Sequence, residues 1–312
     1  MKISKTFRNI IAGLIAIAIF YFLGRSLYRS WGEVVRSGIR FNFLYAFISI
    51  LFFQCSSFAT GLTWQLTLRL LGADMPYWQA VRVIAVSLFG KYLPGKVWAF
   101  GGRILLSKQR GVGEAESSTA LLIETVGLTF AAFLIFFCSL IFYRPQTLPA
   151  HVYWSLILLP IGVFLMHPKI LTAILKTLAR LTKRTITVPK FNYLSLIKLY
   201  FYYLLLWIIH ALGFFFLTQS IFPASYKSIM PIIGAYSVSW ILGFLVLISP
   251  GGLGVREGLL AFFLKFAIPT PIATLMALIS RIWITIGEVL FLVLSLIKKE
   301  EKSGKKQSAG KA

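Results

Sequence analysis

Ionisable residues inside long apolar segments are the positions of this sequence at which chemistry is most expected. Three of its nine acidic residues, Glu124, Glu257 and Glu288, lie within apolar segments. A charged side chain in hydrocarbon costs about 2.5–3.5 kcal/mol on insertion scales, so each carboxylate needs a partner or a proton. The cations that lie in or beside the same segments are Lys91, Lys96, Arg103, Arg256 and Arg281. These five cations outnumber the three carboxylates, and the surplus suits an anionic ligand such as a lipid phosphate.

The spacing of Arg281 and Glu288 predicts where their partners lie. The two residues are two helical turns apart, so they share one face of a helix but are too distant to pair with each other. Each is therefore expected to face a group on another element. An alternative stays open at this point, in which the charges form internal ion pairs that hold the structure together and bind no ligand.

Two breaks in the apolar segments position most of these charges. Residues 249–258 read Ser-Pro-Gly-Gly-Leu-Gly-Val-Arg-Glu-Gly, and residues 90–96 read Gly-Lys-Tyr-Leu-Pro-Gly-Lys. Proline and glycine interrupt helices, and broken backbone at membrane depth is tolerated only where protein or a polar cavity satisfies it. Freed N–H groups at Gly251 and Gly252 would bind an anion at a helix N-terminus. The alternative is that these glycines only permit a tight turn with positive φ.

Composition places the whole chain in a membrane. Of its 312 residues 58% are hydrophobic and 13% are charged, whereas soluble domains have about a quarter charged residues. The apolar runs are continuous and do not alternate as in outer-membrane barrels, so we expect an all-α polytopic membrane protein. The net charge of +23 would suggest nucleic acid in a soluble protein. Here the basic residues lie mostly in loops and tails, where they set orientation and meet anionic lipid, so no nucleic-acid partner is expected.

Apolar runs and charge predict one transmembrane domain over residues 1–297, with a Lys-rich, disordered cytosolic tail at 298–312. We expect about six full transmembrane helices, at 10–23, 41–71, 117–143, 151–167, 194–219 and 271–297. Residues 77–112 and 229–268 are interpreted as two re-entrant broken hairpins, because the basic loop 169–190 and both termini then stay cytosolic. Hairpins that enter from opposite sides are typical of inverted-repeat transporters. Eight full spans is the alternative.

The motifs resemble the transmembrane region of lysylphosphatidylglycerol synthases, whose stand-alone members are called flippase-like membrane proteins. The resemblance rests on residues 90–96, Gly102-Arg103, Glu124 and the Pro-Gly-Gly-Leu-Gly-Val-Arg-Glu string at 250–257. It implies a polytopic cell-membrane protein that moves a polar lipid between leaflets. Full synthases carry a soluble aminoacyl-transferase domain after the membrane part, which this sequence lacks, so synthase activity is not expected. Thr125 departs from relatives that have Arg after the Glu, which leaves the partner of Glu124 open.

The leading hypothesis is a lipid or glycolipid translocase that is not an enzyme and needs no cofactor or metal. The cations Lys96, Arg103, Arg256 and Arg281, with Gly251 and Gly252, would bind the head group of an anionic or glycosylated lipid. Glu124, Glu257 and Glu288 would orient those cations or take up protons. No Gly-x-x-x-x-Gly-Lys-Ser/Thr loop for ATP is present. The alternatives are an integral membrane transferase acting on a lipid-linked substrate, or an accessory subunit that binds a protein partner through loop 169–190.

Overall fold

The computed structural model describes residues 39–92, 97–142, 192–245 and 254–297, together with Trp31–Arg36, Trp154–Ile157 and isolated positions within 21–28 and 160–177. These residues form helices and no strand, which confirms the all-α fold class. A six-residue helix, Trp31–Arg36, lies against the last long helix. Eight longer helices follow: α1 Phe43–Leu70, α2 Tyr77–Leu88, α3 Val97–Lys108, α4 Glu114–Leu140, α5 Tyr193–Ile221, α6 Ile229–Leu245, α7 Val255–Leu264 and α8 Thr270–Ile297.

Four of these helices are long enough to cross a bilayer with residues to spare. Helices α1, α4, α5 and α8 have 27 to 29 residues each, or about 40 Å at 1.5 Å per residue, against a hydrocarbon thickness of about 30 Å. They correspond to four of the six predicted full spans. The predicted spans at 10–23 and 151–167 lie mostly outside the described residues. The same is true of the basic loop 169–190, and the tail 298–312 lies entirely outside them.

The first break produces a helical hairpin. Helices α2 and α3 have 12 residues each, about 18 Å, so neither crosses a bilayer alone. A 3₁₀ helix, Phe89–Tyr92, follows α2 directly. Arg103 Nε donates a 3.4 Å hydrogen bond to Ser87 Oγ, and a Cβ on Gly90 would lie 2.6 Å from the backbone nitrogen of Ala99. The chain therefore doubles back within 77–108, and only a residue without a side chain fits at Gly90.

The second break also produces a hairpin, with arms of unequal length. Helix α6 has 17 residues and α7 has ten. With its preceding turn, Tyr226–Leu245 is a fifth segment long and apolar enough to cross a membrane, but α7 is only about 15 Å long. A Cβ on Gly243 would lie 2.9 Å from the Cβ of Arg256, so the two arms lie side by side and the segment returns. The tip of this hairpin, expected at Pro250-Gly251, is outside the described residues.

The two hairpins enter from opposite ends of the bundle. Helices α1 and α5 pack antiparallel, because Asn42 N donates to Ser220 O at 2.7 Å at one end and the Thr67 and Tyr203 hydroxyls lie 2.8 Å apart at the other. The α2–α3 hairpin follows the end of α1, and the α6–α7 hairpin follows the end of α5. Helix α2 packs on α8, and α6 packs on α4. These reciprocal contacts support an inverted repeat of α1–α4 and α5–α8.

Candidate functional site

A cavity of about 330 Å³ lies where the two hairpins meet the long helices. It is at mid-height of the bundle, since Ser56 and His210, which line it, fall close to the middle of α1 and α5. The half-exposed Phe100 of α3 also lines it, so the cavity reaches the outer surface of the bundle there. Its charged wall is formed by Lys91, Arg103, Glu124, Arg256, Arg281 and Glu288.

Three ion pairs join the hairpins to the long helices around this cavity. Arg103 Nη1 donates to Glu124 Oε1 at 2.9 Å and connects α3 to α4. Lys91 Nζ, just after α2, donates to Glu288 Oε1 on α8.

The third pair connects α7 to α8. Arg281 Nη1 lies 3.8 Å from Glu257 Oε1. The other carboxylate oxygen of Glu257 accepts a 2.7 Å hydrogen bond from Gly254 N, which is the N-cap of α7 and has a φ of +81°. Glu257 therefore holds the start of α7 and faces Arg281 at once. Arg281 and Glu288 each face a charge on another element, as their spacing predicts.

Arg256 is the cavity cation to which the described residues offer no carboxylate. Its side chain is 9% exposed, and its Nε and Nη2 atoms have no hydrogen-bond acceptor among the described residues. The guanidinium lies over the ring of Tyr236, 5.0 Å from the ring centroid, which is an attractive but incomplete compensation for a buried charge. The site therefore carries one buried positive charge that an anion would satisfy.

A neutral hydrogen-bond chain runs beside this cation. Ser56 Oγ donates to the Phe53 carbonyl oxygen at 2.8 Å, so the same oxygen accepts from His210 Nδ1 at 2.8 Å. His210 Nε2 then accepts from the Tyr236 hydroxyl at 2.9 Å. The structure shows a histidine that is satisfied on both nitrogens and also lines the cavity.

Comparison with known proteins assigns this architecture to a family. A family model described as the lysylphosphatidylglycerol synthase TM region matches residues 9–291. The chain belongs to this family. No curated protein matches the chain individually. The matched residues include both hairpins and the whole charged wall of the cavity, so the cavity lies within the family domain. Membership and five long apolar helices together establish a membrane protein.

Most of the predicted site residues lie together in this lysylphosphatidylglycerol synthase TM-region chain. Arg103, Glu124, Arg256, Arg281 and Glu288 line the cavity, and Glu257 lies directly behind Arg281. The other three predicted residues, Lys96, Gly251 and Gly252, are outside the described residues. In the part of the chain that the structure describes, no three His, Cys, Asp or Glu side chains converge as metal ligands; the expectation that no cofactor is needed stays a prediction.

Sequence reasoning missed one cation and one whole wall of this site. Lys91 was named among the cations of the apolar segments but was not included in the predicted head-group site, and the structure places it against Glu288 at the cavity. The aromatic wall was missed although spacing could have indicated it. Trp207 lies one helical turn from His210 and Tyr236 one turn from Trp240, so each pair shares a helix face with a polar group that needs a partner. All four line the cavity.

Proposed function

We propose that this chain moves an anionic lipid between the leaflets of the cell membrane, with the phosphate of the head group bound at Arg256. The single observation that carries the proposal is the buried Arg256 guanidinium, which lines a cavity at mid-height and whose Nε and Nη2 atoms find no hydrogen-bond acceptor in the part of the chain that the structure describes. A buried charge without a partner is strongly unfavourable. An anionic ligand would provide charge-assisted hydrogen bonds to the same atoms.

The three ion pairs support this role by keeping the other cavity cations compensated. Each pair bridges a hairpin to a long helix, so a change in hairpin position would break or exchange these contacts. Two inverted repeats that rock about a fixed central site give alternating access to the two leaflets. In this mechanism the head group occupies the cavity, the acyl chains stay in lipid beside Phe100, and Glu124, Glu257 and Glu288 hold the cations in place.

The test is the leaflet exposure of a fluorescent anionic lipid in proteoliposomes, measured by quenching the outer leaflet with a membrane-impermeant reductant. Wild type is compared with Arg256→Gln and with Arg69→Gln, a matched substitution at an arginine that is exposed and pairs with Asp74. We expect movement in the wild type and in Arg69→Gln, and its loss in Arg256→Gln. A folded Arg256→Gln protein that moves the lipid at the wild-type rate would contradict the proposal.

Two other functions stay open to direct tests. A membrane transferase would form product when the purified protein is given a lipid-linked substrate and an acceptor. An accessory subunit would co-purify with one enzyme of the cell envelope and move no lipid alone, and loop 169–190 is the expected contact. A translocase, by contrast, would move lipid between leaflets in vesicles that contain no other protein and no acceptor substrate.

We further propose that both termini are cytosolic. The basic loop 169–190 and the tail 298–312 support this orientation because cytosolic segments are enriched in Lys and Arg. A reporter that folds only in the cytosol, fused after Ala312, is expected to be active; an inactive C-terminal fusion beside an active reporter at the opposite end of α8 would contradict the orientation.

A further inference from the structure

One part of the cavity lining is aromatic. Trp207 and Trp240 meet edge to face with their ring centroids 4.9 Å apart, and Trp240 stacks on Phe244 at 5.4 Å. Tyr236 links this wall to the charged one, since its ring is 6.5 Å from Trp207 and lies under the Arg256 guanidinium. A ligand bound to Arg256 would therefore lie close to these aromatic rings.

The same wall offers neutral hydrogen-bonding groups. Trp207 is 3% exposed, and its Nε1 has no acceptor among the described residues, whereas buried indole N–H groups normally have one. Ser57 and Thr60 of α1 line the cavity and donate to the Phe53 and Ser56 carbonyl oxygens at 2.9 and 3.0 Å. Each hydroxyl oxygen therefore still accepts a hydrogen bond. One unsatisfied donor and two acceptors suit a ligand with several hydroxyl groups.

Charge argues against a head group that carries an ammonium. The cavity is lined by four cations, Lys91, Arg103, Arg256 and Arg281, and two carboxylates, with the third carboxylate behind Arg281. The net charge of these groups is positive even when all three carboxylates are counted. An added amine would be repelled by Arg256, which already occupies the face of Tyr236 where an aromatic cage would bind it. The aminoacylated lipid in the family's description therefore does not fit this cavity.

We propose that the lipid head group is a sugar phosphate: the phosphate binds Arg256, and one sugar ring stacks on the Trp207–Trp240 wall. This inference rests on the proposed function only in taking the cavity as the head-group site. The π face of an indole is negative and attracts the polarised C–H bonds of a sugar ring. The sugar hydroxyls donate to Ser57 and Thr60 and accept from Trp207 Nε1. A volume near 330 Å³ is at the small end of the range of about 300–1,000 Å³ for ligand sites, which suits one sugar and not an oligosaccharide.

The test is calorimetric titration of the detergent-solubilised full chain with glucose 1-phosphate and glycerol 1-phosphate. Both probes are phosphate monoesters of equal charge, so their affinity ratio reports what the sugar ring and its additional hydroxyls contribute to binding. We expect glucose 1-phosphate to bind about tenfold tighter, as one or two net hydrogen bonds and ring stacking imply. Trp207→Phe removes the indole N–H and is expected to lower the ratio about three- to tenfold while glycerol 1-phosphate binds as before, and Arg256→Gln is expected to weaken the binding of both.

Trp283→Phe is the matched control, since Trp283 is a buried neighbour of Phe53 that does not line the cavity; it should keep the tenfold ratio. Thr60→Val, which is nearly equal in shape, is a second variant for the case in which Trp207→Phe does not fold. It should also lower the affinity ratio. Equal binding of both phosphates to the wild type, no binding of either, or an unchanged ratio in both variants would overturn the inference.

The leaflet measurement separates this inference from the proposed function. A sugar preference in titration without lipid movement would contradict transport and leave the sugar site intact. Movement of anionic lipids in vesicles, together with equal binding of glucose 1-phosphate and glycerol 1-phosphate in titration, would contradict the sugar site and leave transport intact.

Discussion

The ion pair between Arg103 and Glu124 gives the sharpest energetic prediction. The two side chains are 14% and 5% exposed, and their atoms are 2.9 Å apart. Replacing Glu124 with Gln leaves the arginine charge buried without its partner, which costs about 3–5 kcal/mol in comparable pairs. We expect Glu124→Gln and Arg103→Gln each to lower the free energy of unfolding by that amount. The double variant should lose less than the sum, with a coupling energy of about 2–3 kcal/mol.

The chain provides a matched control for this double-mutant cycle. Arg69 and Asp74 are also 2.9 Å apart, but they are 54% and 73% exposed. Exposed pairs contribute about 0.2–1 kcal/mol, so the Arg69→Gln and Asp74→Asn cycle should give a coupling energy in that range. Both cycles are measured by denaturant unfolding in mixed micelles. Equal coupling energies in the two cycles, or a loss below about 1 kcal/mol in Glu124→Gln, would refute the assignment of a buried pair.

Three further predictions concern packing in the same bundle. Gly127→Ala should lower the free energy of unfolding by about 1–3 kcal/mol because the added Cβ overlaps the ring of Tyr203. Gly101→Ala should raise it by about 0.5–1 kcal/mol, since this helical glycine has no atom within 4 Å of a Cβ position; a loss of stability there would contradict the open space. Tyr203→Phe should cost about 0.5–1.5 kcal/mol through the lost hydrogen bond to Thr67. The exposed Tyr193→Phe should be neutral in the same unfolding measurement.

Local chemistry made the broken elements predictable from the sequence. Proline and glycine interrupt the apolar runs at 90–96 and 249–258, and the described helices on either side of each break lie against each other. Arg281 and Glu288 are two turns apart on one helix, which is too far for an ion pair between them. Their partners therefore had to lie on other elements. Helix boundaries followed from the same signals, since long apolar runs correspond to α1, α4, α5 and α8 within a few residues.

Tertiary packing decided the features that the sequence left open. Nothing in the local sequence identifies Lys91 as a partner of Glu288, because that contact depends on how α2 packs on α8. The sequence did not identify the partner of Glu124 for the same reason: Arg103 reaches it only because α3 packs beside α4. Spacing places Trp207 and Trp240 each within one helical turn of a polar residue, but it does not show whether that helix face lines a cavity or faces lipid, and that part came from the fold.

The most direct test of the central claim, that a lipid phosphate binds at Arg256 inside the cavity, is site-specific photo-crosslinking in native membranes. Benzoylphenylalanine replaces Phe100, which lines the cavity, or Phe201, which is 61% exposed on α5 and does not line it. The crosslinked lipids are identified by mass spectrometry. We predict anionic phospholipid enriched over bulk membrane at position 100, bulk composition at position 201, and loss of the enrichment in Arg256→Gln. Bulk composition at both positions, or an enrichment that Arg256→Gln leaves unchanged, would contradict the account.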